Sequence, residues 1–189
     1  MTPRLVSWLG YAYMLSEMLL AVVRRSRRSD APSADRGSLA LLWVVIIISI
    51  ALAYSLAYSA PAADMRADPR PLRSVGLIVF LAGLALRWYA IIYLGRFFTV
   101  NVAIAADHRL IDTGPYRYVR HPSYSGALLA FLGLGLCIAN WLSLACALIP
   151  TFFAFLWRIR VEEAALSAGL GDAYREYMHH TRRLIPAIY

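Results

Sequence analysis

Five apolar runs, each close to the length of a bilayer-crossing helix, limit what this chain can fold into. They extend from about Leu5 to Val23, Leu39 to Ala60, Val75 to Leu94, Pro122 to Ala139 and Trp141 to about Trp157. A helix needs about 20 predominantly apolar residues to cross the hydrocarbon core of a bilayer. Of the 189 residues, 60% are hydrophobic, more than a water-soluble domain of this size can bury. The expected fold is an all-α integral membrane protein of about five transmembrane helices. It forms a single membrane domain over residues 1–189, with two N-terminal spans in 1–74 and a core in 75–189.

The charges set an expected orientation. All 19 basic residues are Arg and the net charge is +8. They lie mainly in short segments between apolar runs, so lipid headgroups and topology explain them better than nucleic acid does. Arg24, Arg25, Arg27, Arg28 and Arg36 follow the first run. Arg96, Arg109, Arg117 and Arg120 follow the third, and Arg158, Arg160, Arg175, Arg182 and Arg183 lie in the tail. The other side holds only Arg4, Arg66, Arg70 and Arg73. The positive-inside rule then puts the N-terminus outside and the C-terminus in the cytoplasm. The first run precedes its basic cluster and lacks a small-residue cleavage site, so it reads as a retained span rather than a signal peptide. A short chain free of Lys suggests the inner (plasma) membrane of a bacterium or archaeon.

The last two runs meet almost directly at Asn140-Trp141 and must form a tight antiparallel hairpin. Gly126, Gly133 and Gly135 allow close backbone approach there. The segment from Gly95 to His121 is too long and too patterned for a plain connector, with Asp107-His108 and the turn signal Asp112-Thr113-Gly114-Pro115. After the fifth run, Arg158 to about Ala168 has helical spacing. Gly169 and Gly171 break it, and Asp172 is placed to cap a second short helix carrying Tyr174 and Tyr177. Cys137 and Cys146 sit inside apolar runs and read as reduced packing residues.

Two polar clusters bracket the hairpin: Arg120-His121-Pro122-Ser123-Tyr124-Ser125-Gly126 before it and Arg160-Val161-Glu162-Glu163 after it. A hairpin can bring both to the same water–lipid boundary. Pro122 suits a first helical turn, so His121, Ser123 and Tyr124 gather at a helix N-terminus that favours an anionic group. Adjacent helical residues point about 100° apart, so one of Glu162 and Glu163 can face a site while the other faces solvent or an Arg. Arg183 lies in Thr181-Arg182-Arg183-Leu184-Ile185-Pro186, where Leu184 and Ile185 can dock the tail on the bundle; by itself it reads as part of a basic surface patch. Arg87 lies within the third run. An intramembrane Arg is costly and points to function unless it snorkels to the interface. Glu17 is the other intramembrane charge, and both a structural contact and a pairing with Arg87 are open to it. Tyr116 and Tyr118, taken alone, read as interfacial anchors. His108, His179 and His180 show no metal-ligand spacing, so no metal is expected. GxGxxG, P-loop and GxSxG patterns are absent.

Taken together, these pieces resemble the isoprenylcysteine carboxyl methyltransferase family of integral membrane methyltransferases, itself similar to the phospholipid methyltransferases. The resemblance runs from about Leu86 to Pro186. It takes in Leu86-Arg87-Trp88-Tyr89-Ala90, Leu94-Gly95-Arg96-Phe97-Phe98 and Gly114 through Gly126. It continues with Glu162-Glu163, Leu166, Gly171, Tyr174, Tyr177 and Arg183-Leu184-Ile185-Pro186. It implies S-adenosylmethionine as cofactor, in a cytoplasm-facing pocket contacted by His121, Tyr124, Glu162, Glu163, Tyr174 and Arg183. Arg87 or Arg120 would orient the acceptor. The implied chemistry is in-line displacement of methyl from sulfonium sulfur by a lipophilic small molecule or lipid arriving from the bilayer: an acid, a thiol, an amine or a phospholipid. A carboxylate or thiolate acceptor needs no general base, so alignment and a dry site are the protein's main contributions. Two other readings are an NADPH-dependent membrane reductase of the sterol-reductase type and a non-enzymatic module that holds anionic lipid.

Overall fold

The computed structural model describes residues 3–23, 37–65, 68–98, 109–186 and 188. The basic cluster from Arg24 to Arg36, Arg66 and the Asp107-His108 pair lie outside these residues. Among the described residues the chain is helical: α1 (Pro3–Val23), α2 (Ser38–Ser59), α3 (Arg70–Leu94), α4 (Pro122–Ile138), α5 (Trp141–Leu170) and α6 (Asp172–His180). Short 3-10 turns occupy Pro61–Ala63, Gly95–Phe97 and Gly114–Arg117.

Three described helices are long and apolar enough to cross a membrane: α2, α3 with its following turn, and α5. The expected count of five is not reached on these criteria: α4, at 17 residues, is a shorter apolar helix, and α1 is not among the three. Large apolar side chains such as Leu15, Ile47, Ile48, Ile78, Phe153 and Trp157 are exposed on the outside of the bundle. An apolar exterior of that kind suits lipid and not water.

The closest helix packing is between α3 and α4. Gly76 and Gly83, about two turns apart on α3, lie against Gly133 and Gly126, about two turns apart on α4. A Cβ at Gly83 would collide with the Ala130 backbone, and one at Gly133 with the Phe80 backbone. The glycine seam expected within the α4–α5 hairpin therefore lies mainly on the α3 side; of the three glycines named for it, Gly135 alone faces α5, at Leu144. Small residues allow this approach because helices in lipid associate through close van der Waals contact instead of the hydrophobic effect. Tyr13 of α1 packs edge-on against Phe80 (6.3 Å) and Phe131 (5.3 Å) in the centre of the bundle.

Helix α5 runs antiparallel to α2, tied at both ends by polar contacts. At one end the Ser143 hydroxyl donates to the Ala53 carbonyl (2.7 Å), and Asn140 Nδ2 donates to the Ala60 carbonyl (2.9 Å) and Asp64 Oδ1 (3.0 Å). Asn140 Oδ1 accepts from the Ser143 amide (3.0 Å), which caps the N-terminus of α5. At the other end Arg158 donates to the Ser38 hydroxyl (2.6 Å).

The fifth apolar run and the helical segment after it form one 30-residue helix, so α5 is about 45 Å long and carries Glu162 and Glu163 past the end of its apolar run. Gly169 remains helical. The break comes at Gly171, whose φ of 61° lies in the left-handed region that glycine enters at little cost. Asp172 does not cap α6; it is the first helical residue and accepts from Arg175.

Candidate functional site

Residues 182–184 turn back across the start of α4 and build one wall of the site. The Arg120 amide donates to the Arg182 carbonyl (2.7 Å) and the His121 amide to the Arg183 carbonyl (3.0 Å). The Ser125 hydroxyl donates to the Leu184 carbonyl (2.6 Å). Leu184 is buried and anchors the tail, while Ile185 stays exposed. Pro122 opens α4, and the Tyr124 and Ser125 amides both find the His121 carbonyl (3.0 and 3.1 Å).

The two adjacent glutamates take different roles, as their angular separation allows. Glu162 accepts from the Tyr124 hydroxyl at Oε1 (2.6 Å), and the same oxygen lies 3.4 Å from Arg158 Nε. Its Oε2 is 3.5 Å from His121 Nδ1. Glu163 faces arginines: Arg120 Nε donates to Oε1 (2.9 Å), and Arg183 donates to Oε2 through Nε (2.9 Å) and a terminal nitrogen (2.7 Å). Arg120 also donates to the carbonyls of Met178 and Thr181, so Glu163 sits at the centre of a frame joining α4, α5, α6 and the tail. His121 Nε2, buried, lies 3.5 Å from Glu163 Oε1 and makes no hydrogen bond of ordinary length.

A cavity of about 160 Å³ opens where α1, α2, α3, α4 and α5 meet. Its polar wall includes Arg87, Arg120, His121, Ser123, Tyr124, Arg158 and Glu162, with Glu17 beside Arg87. Its apolar wall includes Leu20, Leu42, Trp43, Ile46, Phe155 and Leu166. Of the residues expected in a site, Arg87, Arg120, His121, Tyr124 and Glu162 line the cavity. Glu163, Tyr174 and Arg183 lie behind that wall: Glu163 and Arg183 are spent on the ion-pair frame, and Tyr174 packs on Tyr177 with ring centroids 5.8 Å apart. Burial pushes the Tyr174 and Tyr177 hydroxyls well above their ordinary value, and Tyr177 donates to the Tyr116 carbonyl (2.6 Å).

Arg87 does not snorkel. It is buried, with Nε and a terminal nitrogen donating to the two oxygens of Glu17 (2.5 Å each) and the other terminal nitrogen to the Ser123 carbonyl (3.1 Å). Sequence reasoning overlooked two wall residues. Arg158 is fully buried; its signal was the i,i+4 spacing to Glu162, which reads equally well as a solvated surface pair. Tyr116 is buried on the cavity with its hydroxyl donating to the Ala90 carbonyl (3.2 Å), whereas Tyr118 is exposed as an interfacial anchor would be. Among the described residues no cluster of His, Cys, Asp and Glu has the arrangement of a metal site.

An apolar bundle exterior around a cavity lined by both ionic and apolar side chains marks an integral membrane protein. A sequence model of the isoprenylcysteine carboxyl methyltransferase family matches residues 75–168. The chain is 33% identical over 119 residues to protein-S-isoprenylcysteine O-methyltransferase B of Arabidopsis thaliana, covering 62% of this chain and 60% of that one. It is 36% identical over 108 residues to the Schizosaccharomyces pombe protein-S-isoprenylcysteine O-methyltransferase, covering 56% and 46%. Among solved structures it is similar to the eukaryotic intramembrane Ras methyltransferase ICMT, with a TM-score of 0.64 and 28% identity over 79% of this chain and 53% of that one. The chain belongs to the isoprenylcysteine carboxyl methyltransferase family. It spans about three fifths of the length of the plant relatives.

Proposed function

We propose that this protein transfers a methyl group from S-adenosylmethionine to the carboxylate of a lipophilic acceptor of the S-prenylcysteine kind. The observation that carries this reading is that His121, Tyr124, Glu162, Arg158 and Arg87 line the same cavity as Leu42, Trp43, Ile46 and Phe155, with the Tyr124 and Phe155 rings 4.9 Å apart. A polar cofactor and an apolar acceptor need such linings side by side. The relatives named above are methyltransferases, which favours neither the reductase nor the lipid-holding alternative.

The residues present fit the cofactor by their chemistry. Glu162 offers a carboxylate for an ammonium or ribose hydroxyls, and the His121 and Tyr124 rings line the cavity beside it. When bound, S-adenosylmethionine supplies an electrophilic methyl group on a positively charged sulfur. Glu163, Arg183 and Tyr174, expected as direct contacts, act from behind the wall: the Arg120–Glu163–Arg183 frame fixes where His121 and the tail stand. Arg87 orients the acceptor carboxylate with its remaining N–H groups. Arg120 lines the cavity but is committed to Glu163 and two carbonyls, so its part is to hold the frame. A carboxylate is already nucleophilic at neutral pH, so no side chain has to remove a proton; the apolar wall excludes water, and the ionic wall aligns the reactants.

In this reading five helices cross the bilayer, α4 included. The excess of Arg after the first and third spans and in the tail puts the N-terminus outside, the C-terminus in the cytoplasm and the ionic wall toward the cytoplasm. Placement in a prokaryotic plasma membrane rests on the Lys-free composition alone.

The test is methyl transfer by the full chain in lipid nanodiscs, from tritiated S-adenosylmethionine to N-acetyl-S-farnesylcysteine, with phosphatidylethanolamine as the competing acceptor. Base-labile label in the prenylcysteine is the expected result. Label in the phospholipid alone, or in neither, would refute the carboxyl-transfer reading.

A further inference from the structure

Helix α1 lies outside the segment that matches the family, yet one of its faces belongs to the site. Tyr13, Glu17 and Leu20 share a helical face at i, i+4 and i+7, and all three line the cavity. Tyr13 and Leu20 are buried by packing, as any core residue is. Glu17 is different: it is a buried carboxylate within the bundle, and both of its oxygens are on Arg87.

We infer that Glu17 is a positioning residue that sets the orientation and tempers the charge of Arg87 for the acceptor carboxylate. The inference rests on the carboxyl-methylation reading above and extends it to a helix outside the family match. The geometry supplies the reason. Glu17 occupies the side of the guanidinium formed by Nε and one terminal nitrogen, and the Ser123 carbonyl takes a hydrogen of the other. The planar group is thereby held from two sides, by α1 and by the first turn of α4, and its unspent N–H groups have one direction left. The second effect is electrostatic. In a low-dielectric cavity an uncompensated guanidinium would hold an acceptor carboxylate tightly and draw electron density from the oxygen that must attack. In the transfer that oxygen forms a bond to the methyl carbon as the carbon–sulfur bond breaks, and the electron pair goes to sulfur; no proton moves. A carboxylate opposite Arg87 offsets its charge, so the acceptor is aligned without being quenched.

The experiment compares wild type, Glu17→Gln and Glu17→Asp in nanodiscs. Three readouts are used: affinity for S-adenosylhomocysteine, the ratio of affinities for N-acetyl-S-farnesylcysteine and its methyl ester, and kcat. Glu17→Gln keeps the shape and removes the charge. The acid-over-ester preference should rise about tenfold, kcat should fall about tenfold or more, and S-adenosylhomocysteine affinity should stay unchanged. Glu17→Asp keeps the charge and shortens the reach, so the acid-over-ester preference should stay at the wild-type value while kcat falls. The inference is overturned if Glu17→Gln leaves both the preference and kcat unchanged. It is equally overturned if all three readouts fall together with thermal stability, which is the pattern of a merely structural pair. If wild type neither binds S-adenosylhomocysteine nor methylates the acid, the functional reading fails first and the inference falls with it.

Discussion

His121 and Glu162 stand with the ring Nδ1 3.5 Å from the carboxylate Oε2, although one precedes α4 and the other follows the apolar run of α5. The tight turn at Ala139-Asn140 folds the hairpin so that its two free ends finish at the same level. The Tyr124 hydroxyl, on the first turn of α4, reaches the other oxygen of the same glutamate.

Replacing His121 by Ala or Glu162 by Gln should weaken S-adenosylhomocysteine binding by about tenfold each, the scale of one charge-assisted hydrogen bond. Titration calorimetry on detergent-solubilised protein measures it. Unchanged affinity in both variants would remove these residues from the cofactor wall.

Glu163→Ala should act mainly through stability. It leaves the buried Arg120 without its carboxylate and releases Arg183, and breaking a buried ion pair from one side costs about 3–5 kcal/mol. The thermal midpoint should fall clearly more than in Glu162→Gln. A double variant, Glu163→Met with Arg120→Met, should recover part of the loss, because no buried charge is then left unpaired.

Gly83→Val and Gly133→Val should each disrupt the α3–α4 seam, since each added side chain meets backbone that cannot move aside. Overpacking costs about 1–3 kcal/mol or more. Gly171→Ala, where no neighbour is met but φ 61° and ψ −135° suit little besides glycine, should cost about 1–3 kcal/mol. Thermal unfolding followed by circular dichroism ranks the three.

Tyr177 predicts a response to alkali. Burial, the largest influence, pushes its hydroxyl above the ordinary value of 10.0, and the hydroxyl donates to the Tyr116 carbonyl. A group whose folded pKa is raised contributes its stability fully below the unfolded value and loses it as pH rises toward the folded one. The tail docking should therefore be insensitive to Tyr177 titration below pH 10 and loosen above it. Tyr177→Phe should cost about 1 kcal/mol at neutral pH and flatten the alkaline limb of a stability–pH curve.

Much of the helical layout can be read directly from the chain. The start of α4 at Pro122 matches its expectation, and the ends of α2 and α3 fall within a few residues of theirs, because runs of apolar residues and prolines are local signals. The join of α5 with the polar segment after it was not legible: a run of hydropathy ends at Trp157, but the backbone hydrogen bonds continue wherever no residue breaks them. The split between Glu162 and Glu163 was visible as an angular argument. Which of the two would face the cavity was not, since that depends on how α5 is rotated against α2 and α4.

The residues that meet across the site divide in the same way. The His121-to-Gly126 cluster and the Glu162-Glu163 pair could be named because each is compact in sequence. Arg158 and Tyr116 could not, because an Arg one turn before a Glu or a Tyr in a loop is common on exposed surfaces, and only burial separates the cases. The glycine seam shows the limit most plainly: sequence says that small residues permit close approach, but not to which neighbour.

By itself, the order of residues decided that this chain makes apolar helices long enough for a bilayer, with charge gathered at their ends, since periodicity, length and proline act over a few turns. The tertiary structure alone decided that Glu17 would meet Arg87, that Glu163 would join two arginines and that Glu162 would face the cavity. Those outcomes depend on the rotation and depth of packed helices, set by every contact in the bundle together and encoded in no single segment.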